Sequence, residues 1–200
     1  MIQLLLATRN QHKTREFAQL LGENFTVRDL TSKTDLPAIV ESGATFEENA
    51  VLKAVTISRI FPREIVVADD SGLEVEALGG APGIFSARYA GENASDRRNV
   101  EKLLRELQDA QDRSARFYCV IALAKSGQLI TTVAGEVAGT ITNSPRGENG
   151  FGYDPIFLPN GFSETFAELT SETKNKISHR AQATAALVRH FNTALRSGEM

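Results

Sequence analysis

Short apolar runs alternate along the first third of the chain with segments whose apolar residues recur every three or four positions. The runs IQLLLAT (2–8), NFTVRDL (24–30) and REIVVA (63–68) predict β-strands, and the first is apolar enough to be covered on both faces. The segment that ends at Gly22 and the segment TFEENAVLKAVTISRIF (45–61) predict helices. Strands that alternate with helices in this way are typical of a parallel sheet.

The second half of the chain has a different pattern. Ser95 is expected to begin a helix through RRNVEKLLRELQD. The apolar segments ARFYCVIALA and LITTVAGEVAGTI, separated by KSGQ, predict an antiparallel hairpin. The segment NSPRGENGFGYDPIFLPNG predicts a long loop, and residues 178–195 predict an amphipathic helix. The whole pattern indicates a mixed α/β fold with parallel crossovers and an antiparallel portion.

Composition narrows the class of protein. The 200 residues are 42% hydrophobic and 24% charged, which suits a sizeable core, and no linker separates the halves. Residues 1–200 therefore fit one domain or two tightly packed lobes. The net charge of −3 disfavours a nucleic-acid partner. A single cysteine, Cys119, excludes an intramolecular disulfide, and the chain shows neither a leader nor a membrane-length apolar run, so we expect a cytoplasmic protein without a membrane partner.

The strand predicted over 63–68 runs directly into Asp69, Asp70, Ser71 and Gly72. Successive strand residues point to opposite faces, so we expect the chain to turn here and to project one acid from the end of the strand. Carboxylate oxygens are ligands that Mg²⁺ prefers. The alternative is a plain turn, but the Gly-rich loop that we expect next, LGGAPGIFSARYAG, favours a ligand.

The segment ATRNQHK (7–13) predicts a strand-to-helix junction. Helix N-termini attract phosphate, and Lys13 would add a full charge there, although the glycines of a Walker loop are absent. An ordinary cap with a solvated Lys13 is the alternative. Further along, Glu48 is expected to form a capping box with Thr45, which leaves Glu41 as a second metal carboxylate. Lys53 either reaches phosphate or, as is usual for an isolated helix lysine, faces solvent.

The segment GENGFGYDP (147–155) carries three glycines, two aromatic residues and an acid. Phe151 or Tyr153 would stack on a base and Asp154 would accept a base N–H, unless the segment is a plain turn. The segment TKNKISHRAQ (173–182) places cationic side chains around one predicted helix start, where they are either donors to a carbonyl oxygen or a basic cap. His12 and His190 match no zinc spacing.

Five segments, ATRNQHK, ESGATFEENAVLKA, ADDSGLEVEALGGAPGIFSARYAG, GFGYDPIF and SHRAQA, closely resemble in order and spacing the motifs of the inosine triphosphate pyrophosphatase family. The resemblance runs from residue 4 to about residue 190. It implies an elongated mixed sheet with flanking helices, two lobes around a central nucleotide cleft, and usually a homodimer. It also implies Mg²⁺-dependent hydrolysis of ITP, dITP and XTP to the nucleoside monophosphate and pyrophosphate, which removes deaminated purines from the nucleotide pool.

The resemblance also implies residue roles. Glu41 and Asp70 match the metal carboxylates, Asp70 matches the proposed catalytic base, and Asp69 is a partner or an alternative base. Arg9 departs from the glycine of many relatives and would either contact phosphate or crowd the loop. The implied substrate contacts are Thr8, Arg9, Asn10, Gln11, His12, Lys13, Lys53, Ser71, Phe151, Gly152, Tyr153, Asp154, Lys174, His179 and Arg180.

Two other functions compete with this one. A related pyrophosphatase would act on other modified nucleotides, such as pyrimidines. A nucleotide-binding module would bind a nucleotide as a sensor without hydrolysing it. The presence of Asp70, Glu41 and Lys13 disfavours this alternative. Donors from Arg180 or nearby backbone to a purine 6-oxo group would reject adenine, whereas the rejection of GTP must involve its 2-amino group.

Overall fold

The computed structural model describes residues 1–33, 36 and 39–197, and it confirms a mixed α/β fold with one six-stranded sheet. The strands are β1 Ile2–Leu6, β2 Phe25–Arg28, β3 Ile65–Val75, β4 Ser114–Lys125, β5 Gln128–Ile141 and β6 Phe157–Pro159, in the sheet order β2-β1-β3-β4-β5-β6. The α-helices are α1 Gln11–Leu21, α2 Phe46–Ile60, α3 Asp96–Glu106, α4 Ser171–Ile177 and α5 His179–Ser197. Among the described residues, no helix combines the length and apolarity needed to span a bilayer.

The sheet contains both predicted kinds of strand pairing. β1 pairs in parallel with β2 and with β3, and Leu4 lies opposite Ile65 in the second pair. β5 pairs antiparallel with β6. β4 and β5 are hydrogen-bonded neighbours joined only by Ser126 and Gly127, whose φ angles are 53° and 78°. Two such residues form the turn of an antiparallel hairpin, so the predicted hairpin is confirmed.

The chain divides into two compact units, each with its own apolar core. The first unit comprises residues 1–70 and 119–135 and the chain from Arg180 onward, and the second comprises residues 71–118 and 136–179. In the first unit, β1 and α1 contribute Leu4, Leu6 and Phe17 to a core that also contains Ile121 and Phe191. In the second unit, the core includes Leu73, Leu103, Phe117, Phe157 and Phe166.

Local capping explains where the first two helices begin and where α1 ends. Asn10 caps α1, and α1 ends at Gly22, where the sequence predicts its end, with a φ of 71°. Thr45 caps α2 by accepting from the Glu48 N–H at 3.1 Å. The capping box is not reciprocal, because the Glu48 carboxylate accepts from the N–H of Ala44.

Four predicted elements differ from the structure. β3 does not end at residue 68 but continues to Val75, so the expected turn at the two acids is wrong. The expected loop after it contains 3₁₀ helices at Glu76–Leu78 and Gly83–Arg88. The expected long loop contains a 3₁₀ helix, Asp154–Ile156, and β6. The one helix start expected over 173–182 is the end of α4 followed by the start of α5. In the first three cases, glycine, proline and polar residues favour turns and loops locally, and tertiary packing orders the backbone instead.

Candidate active site

The β1–α1 junction is a tightly capped helix start. Asn10 Oδ1 accepts from the N–H groups of His12, at 2.9 Å, and Lys13, at 3.3 Å. Thr8 Oγ1 accepts from the Asn10 N–H at 3.1 Å. The cap therefore engages two of the amides that a phosphate at this helix end would use. Gln11 and His12 have exposed side chains.

Arg9 braces the junction against a neighbouring segment. Its guanidinium donates to the carbonyl oxygens of Lys33, at 3.1 Å, and Leu36, at 2.8 Å. The side chain thus ties the start of α1 to the chain that follows β2. These two hydrogen bonds favour a role for Arg9 in positioning the loop.

Asp69 lies at the centre of a buried ion-pair group in the first unit. Its Oδ2 atom is 2.8 Å from Lys13 Nζ and 3.2 Å from Arg180 Nη2. Arg180 is 2% exposed and also pairs with Glu16. Burial alone would raise the pKa of Asp69, but the charges of Lys13 and Arg180 outweigh it and hold that pKa well below its usual range.

Asp70 points to a different set of partners. Its Oδ1 atom accepts from Lys53 Nζ at 2.9 Å, and the same ammonium donates to Glu41 Oε1 at 2.8 Å. The interpretation of Lys53 as a solvated lysine is therefore wrong, because its side chain is buried between two carboxylates. Burial raises the pKa of Asp70 by more than the nearby Lys53 lowers it. Burial lowers the pKa of Lys53, but Asp70, Asp69 and Glu41 outweigh it, so this pKa is raised.

Glu41 and Asp70 fit a magnesium ion by their chemistry. The described residues contain no group of three or more His, Cys, Asp and Glu side chains that would hold a metal. Mg²⁺, however, is usually held by one or two carboxylates and completes its shell with water and phosphate. The buried Asp70 Oδ2 has no hydrogen-bond partner among the described residues. An acceptor left in this way, next to a second carboxylate on the same ammonium, is suited to a cation.

A second polar group lies within the second unit. Asp154 and Lys174 form a buried ion pair with an Oδ2–Nζ distance of 2.7 Å. The same carboxylate oxygen accepts from the Phe151 N–H at 2.8 Å, and Lys174 Nζ lies 5.2 Å from the centre of the Phe151 ring. The Gly152 N–H donates to Asp96 at 2.6 Å. These contacts fix the backbone that presents the half-buried Phe151 ring.

Tyr153 and His179 belong to the packing of the second unit. Tyr153 is 4% exposed, lies in the apolar core and donates its hydroxyl to the Ser86 carbonyl oxygen at 2.9 Å. The interpretation of Tyr153 as a ring that stacks on a base is therefore wrong for this structure. His179 is buried and stacks on Phe117 with ring centres 4.7 Å apart. Ser71 is half-buried in β3.

The structure thus brings Lys13 and Arg180 together around the Asp69 carboxylate. It also brings Glu41 and Asp70 together around the Lys53 ammonium. Sequence reasoning missed Glu16, whose carboxylate holds Arg180. The sequence did carry a signal for Glu16. Residues three apart on a helix share a face, and Glu16 lies three positions after Lys13, which places it near the same site. The pairing with Arg180 itself joins residues 164 positions apart, which local patterns do not predict.

Comparison with known proteins identifies the family of this chain. The model of the Ham1 family matches residues 4–190. The chain is 53% identical over 186 residues to the dITP/XTP pyrophosphatase of Bacillus licheniformis, covering 92% of this chain and 94% of that one. It is 47% identical over 186 residues to the protein of the same name from Bacillus subtilis, covering 92% and 93%.

Solved structures give the same result. A HAM1 protein from Coxiella burnetii matches with a TM-score of 0.86 and 42% identity, covering 97% of this chain and 100% of that one. The Ham1 protein of Staphylococcus aureus matches with a TM-score of 0.84 and 42% identity, covering 99% and 100%. The family resemblance carried by the five sequence segments is therefore confirmed, and the chain belongs to the Ham1 family.

Proposed function

We propose that this protein hydrolyses dITP, XTP and ITP to the nucleoside monophosphate and pyrophosphate in a Mg²⁺-dependent reaction. The observation that carries the proposal is the pair of carboxylates, Glu41 and Asp70, held on Lys53 within the first unit. Relatives that share about half of their residues with this chain are named dITP/XTP pyrophosphatases, which supports the same substrate class here.

Glu41 and Asp70 would hold the magnesium ion. When bound, Mg²⁺ neutralises triphosphate charge and polarises the phosphoryl group. Lys53 bridges both carboxylates, and its ammonium would lie beside the metal and contact a phosphate oxygen. Lys13 would supply a second positive charge from the first turn of α1.

Asp70 is the proposed general base. Water attacks the phosphorus atom nearest the nucleoside and forms a P–O bond, while the bond from that phosphorus to the bridging oxygen breaks. Pyrophosphate leaves with the bonding electron pair, and Asp70, or a water that it holds, accepts the proton of the attacking water. A raised pKa suits this role, because a base acts best when its pKa approaches the working pH.

Residues of the second unit are proposed to recognise the base. The Phe151 ring would stack on the purine, and the Asp154–Lys174 ion pair would keep the backbone of that segment in place. Hydrogen-bond donors from His179, Arg180 or neighbouring backbone would bind the 6-oxo group of hypoxanthine or xanthine. The 6-amino group of adenine would then meet a donor, and sites of this kind discriminate by roughly 10⁴–10⁵.

The test is release of pyrophosphate from dITP, XTP, ITP, ATP, GTP and modified pyrimidine triphosphates, with Mg²⁺ and with EDTA. We expect turnover of the first three substrates, little turnover of ATP and GTP, and none in EDTA. Tight binding of dITP without product would favour the sensing module instead. Faster turnover of a pyrimidine triphosphate would favour the related pyrophosphatase.

A further inference from the structure

A surface cavity of about 510 Å³ lies in the second unit, where the 3₁₀ helix Gly83–Arg88 ends beside α3. Four cationic side chains line it, Arg88, Arg98, Lys102 and Arg105, against the single carboxylate of Glu101. The lining therefore carries four positive charges and one negative charge, a local excess of three positive charges on a chain whose net charge is −3. None of these residues belongs to the proposed catalytic group.

The positive charges of α3 lie on one face of the helix. Arg98, Lys102 and Arg105 are separated by four and three positions, a spacing that places them on adjacent turns of the same face. Like charges at this spacing destabilise a helix unless an anion compensates them. Glu101, three positions after Arg98 and four before Arg105, offsets part of this repulsion and itself pairs with Arg97 at 2.8 Å, so the stripe favours an anionic ligand without requiring one.

Two of the four cations are held in place by the protein. Lys102 Nζ donates to the Tyr89 carbonyl oxygen at 2.7 Å, lies 4.0 Å from the centre of the Tyr89 ring, and is 3.7 Å from a Glu106 oxygen. Arg88 lies 3.9 Å from a Glu92 oxygen. These carboxylates partly offset the positive charge of Lys102 and Arg88.

The other two cations carry the inference. The guanidinium groups of Arg98 and Arg105 make no hydrogen bond or ion pair with any residue that the structure describes. Both side chains are exposed, and each presents a planar fork of N–H donors that matches the oxygens of a phosphoryl group. Seven residues of helix separate them by about 10 Å, which is longer than one phosphoryl group.

We propose that this cavity is a second anion site, which binds a small molecule that carries at least two linked phosphoryl groups. Inorganic pyrophosphate and the polyphosphate chain of a nucleotide share this chemistry. A concave lining about two helical turns long fits such a ligand better than a nucleic acid, whose footprint is an extended basic stripe. The inference does not depend on the catalytic proposal, because it involves other residues.

The experiment titrates the full-length protein with inorganic triphosphate, inorganic pyrophosphate and a non-hydrolysable ITP analogue, and follows the amide NMR signals of Ala90 and Gly91. These two residues line the cavity. We expect saturable shifts that weaken as ionic strength rises. The ligand that saturates them at the lowest concentration identifies the source of the phosphoryl groups.

Three variants test the assignment. The double variant Arg98→Gln/Arg105→Gln should weaken binding at least about tenfold, which corresponds to about 1.4 kcal/mol. Glu101→Gln should tighten binding, because it removes the only carboxylate of the lining. Arg189→Gln, which changes an exposed arginine on α5, should leave binding unchanged. All three variants should release pyrophosphate from dITP at the rate of the unmodified protein.

Three outcomes would overturn the inference. They are unshifted Ala90 and Gly91 signals in all three titrations, equal affinity in the double variant, or tighter binding of a single-stranded oligonucleotide than of triphosphate. A protein that binds triphosphate at this cavity but does not hydrolyse dITP would refute the catalytic proposal and leave this one intact. A protein that hydrolyses dITP but does not bind triphosphate at this cavity would refute the cavity proposal and leave the catalytic one intact.

Discussion

Asp69 and Asp70 are consecutive residues of β3, yet their carboxylates meet different partners. Lys13 and Arg180 surround Asp69, whereas Asp70 shares Lys53 with Glu41. The alternation of side chains along a strand directs neighbouring residues to different surroundings. The pKa of Asp69 is consequently lowered, because its cations outweigh its burial, and the pKa of Asp70 is raised, because burial outweighs Lys53.

The first prediction separates the roles of the two acids. Asp70→Asn should reduce turnover of dITP by about 10²–10⁴, the usual contribution of a general base. Its effect on stability should stay near 1 kcal/mol, the net value of a lost hydrogen bond, because Lys53 keeps Glu41. Asp69→Asn should cost about 3 kcal/mol of unfolding free energy, because it breaks a buried ion pair.

Pyrophosphate release and urea denaturation measure these two effects. Unchanged stability of the Asp69→Asn variant would show that its ion pairs are not structural. Turnover retained by the Asp70→Asn variant would remove Asp70 from the catalytic step.

The second prediction concerns pH. Because the pKa of Asp69 is lowered in the folded protein, its ion pairs stabilise the fold above the ordinary aspartate pKa of about 3.9. That contribution is lost as the pH falls below about 4 toward the lowered value. Urea denaturation in EDTA should therefore show a steeper loss of stability below pH 4 for the unmodified protein than for Asp69→Asn. Parallel pH profiles would contradict the prediction.

At the scale of elements, the pairing of β5 with β6 depends on one glycine. Gly139 lies opposite Pro159, and a Cβ atom at residue 139 would come within 2.4 Å of the Leu158 carbonyl oxygen and 2.6 Å of the Phe157 ring. These atoms are backbone and core, so they have little freedom to move. β6 directly follows the 3₁₀ helix that contains Asp154, and this strand pairing therefore supports the segment proposed to recognise the base.

The third prediction follows from this contact. Gly139→Ala should lower the free energy of unfolding by about 1–3 kcal/mol, the usual cost of overpacking. Thr140→Ala changes the next residue of the same strand, whose side chain is exposed, and serves as the control with an effect within about 0.5 kcal/mol. Thermal and urea denaturation of both variants test the difference. If both variants are equally stable, β6 must shift to accommodate the added methyl group at little cost, which would contradict the prediction.

The helices and strands show which features of the fold the sequence patterns could predict. The starts of α2 and α3 follow from Thr45 and Ser95, because a cap is a local interaction. The course of β3 does not follow from local preference. The stretch Asp-Asp-Ser-Gly favours a turn, but the structure keeps it extended, because distant cations compensate both buried acids.

At the scale of the whole molecule, the family resemblance implies a homodimer. Several large apolar side chains are exposed on the chain, among them Phe85, Leu129 and Ile130. Where such side chains form one continuous patch, the surface commonly binds another protein.

The fourth prediction is that analytical ultracentrifugation will give twice the mass of one chain at micromolar concentration. A monomer over the whole concentration range would contradict it. The measurement should be repeated with dITP and Mg²⁺, because any ligand that binds the dimer preferentially shifts the association equilibrium.

The sequence by itself determined the mixed α/β class, two of the helix caps, the hairpin and the family. These depend on residue periodicity, on local hydrogen bonds and on the order and spacing of motifs along one chain. Only the tertiary structure decided that Lys53 is buried between Glu41 and Asp70, that Arg180 is held by Asp69 and Glu16, and that Tyr153 packs in a core. The physical reason is that a side chain's burial and charge partners come from residues far away in sequence, whereas a local pattern reports only its immediate neighbours.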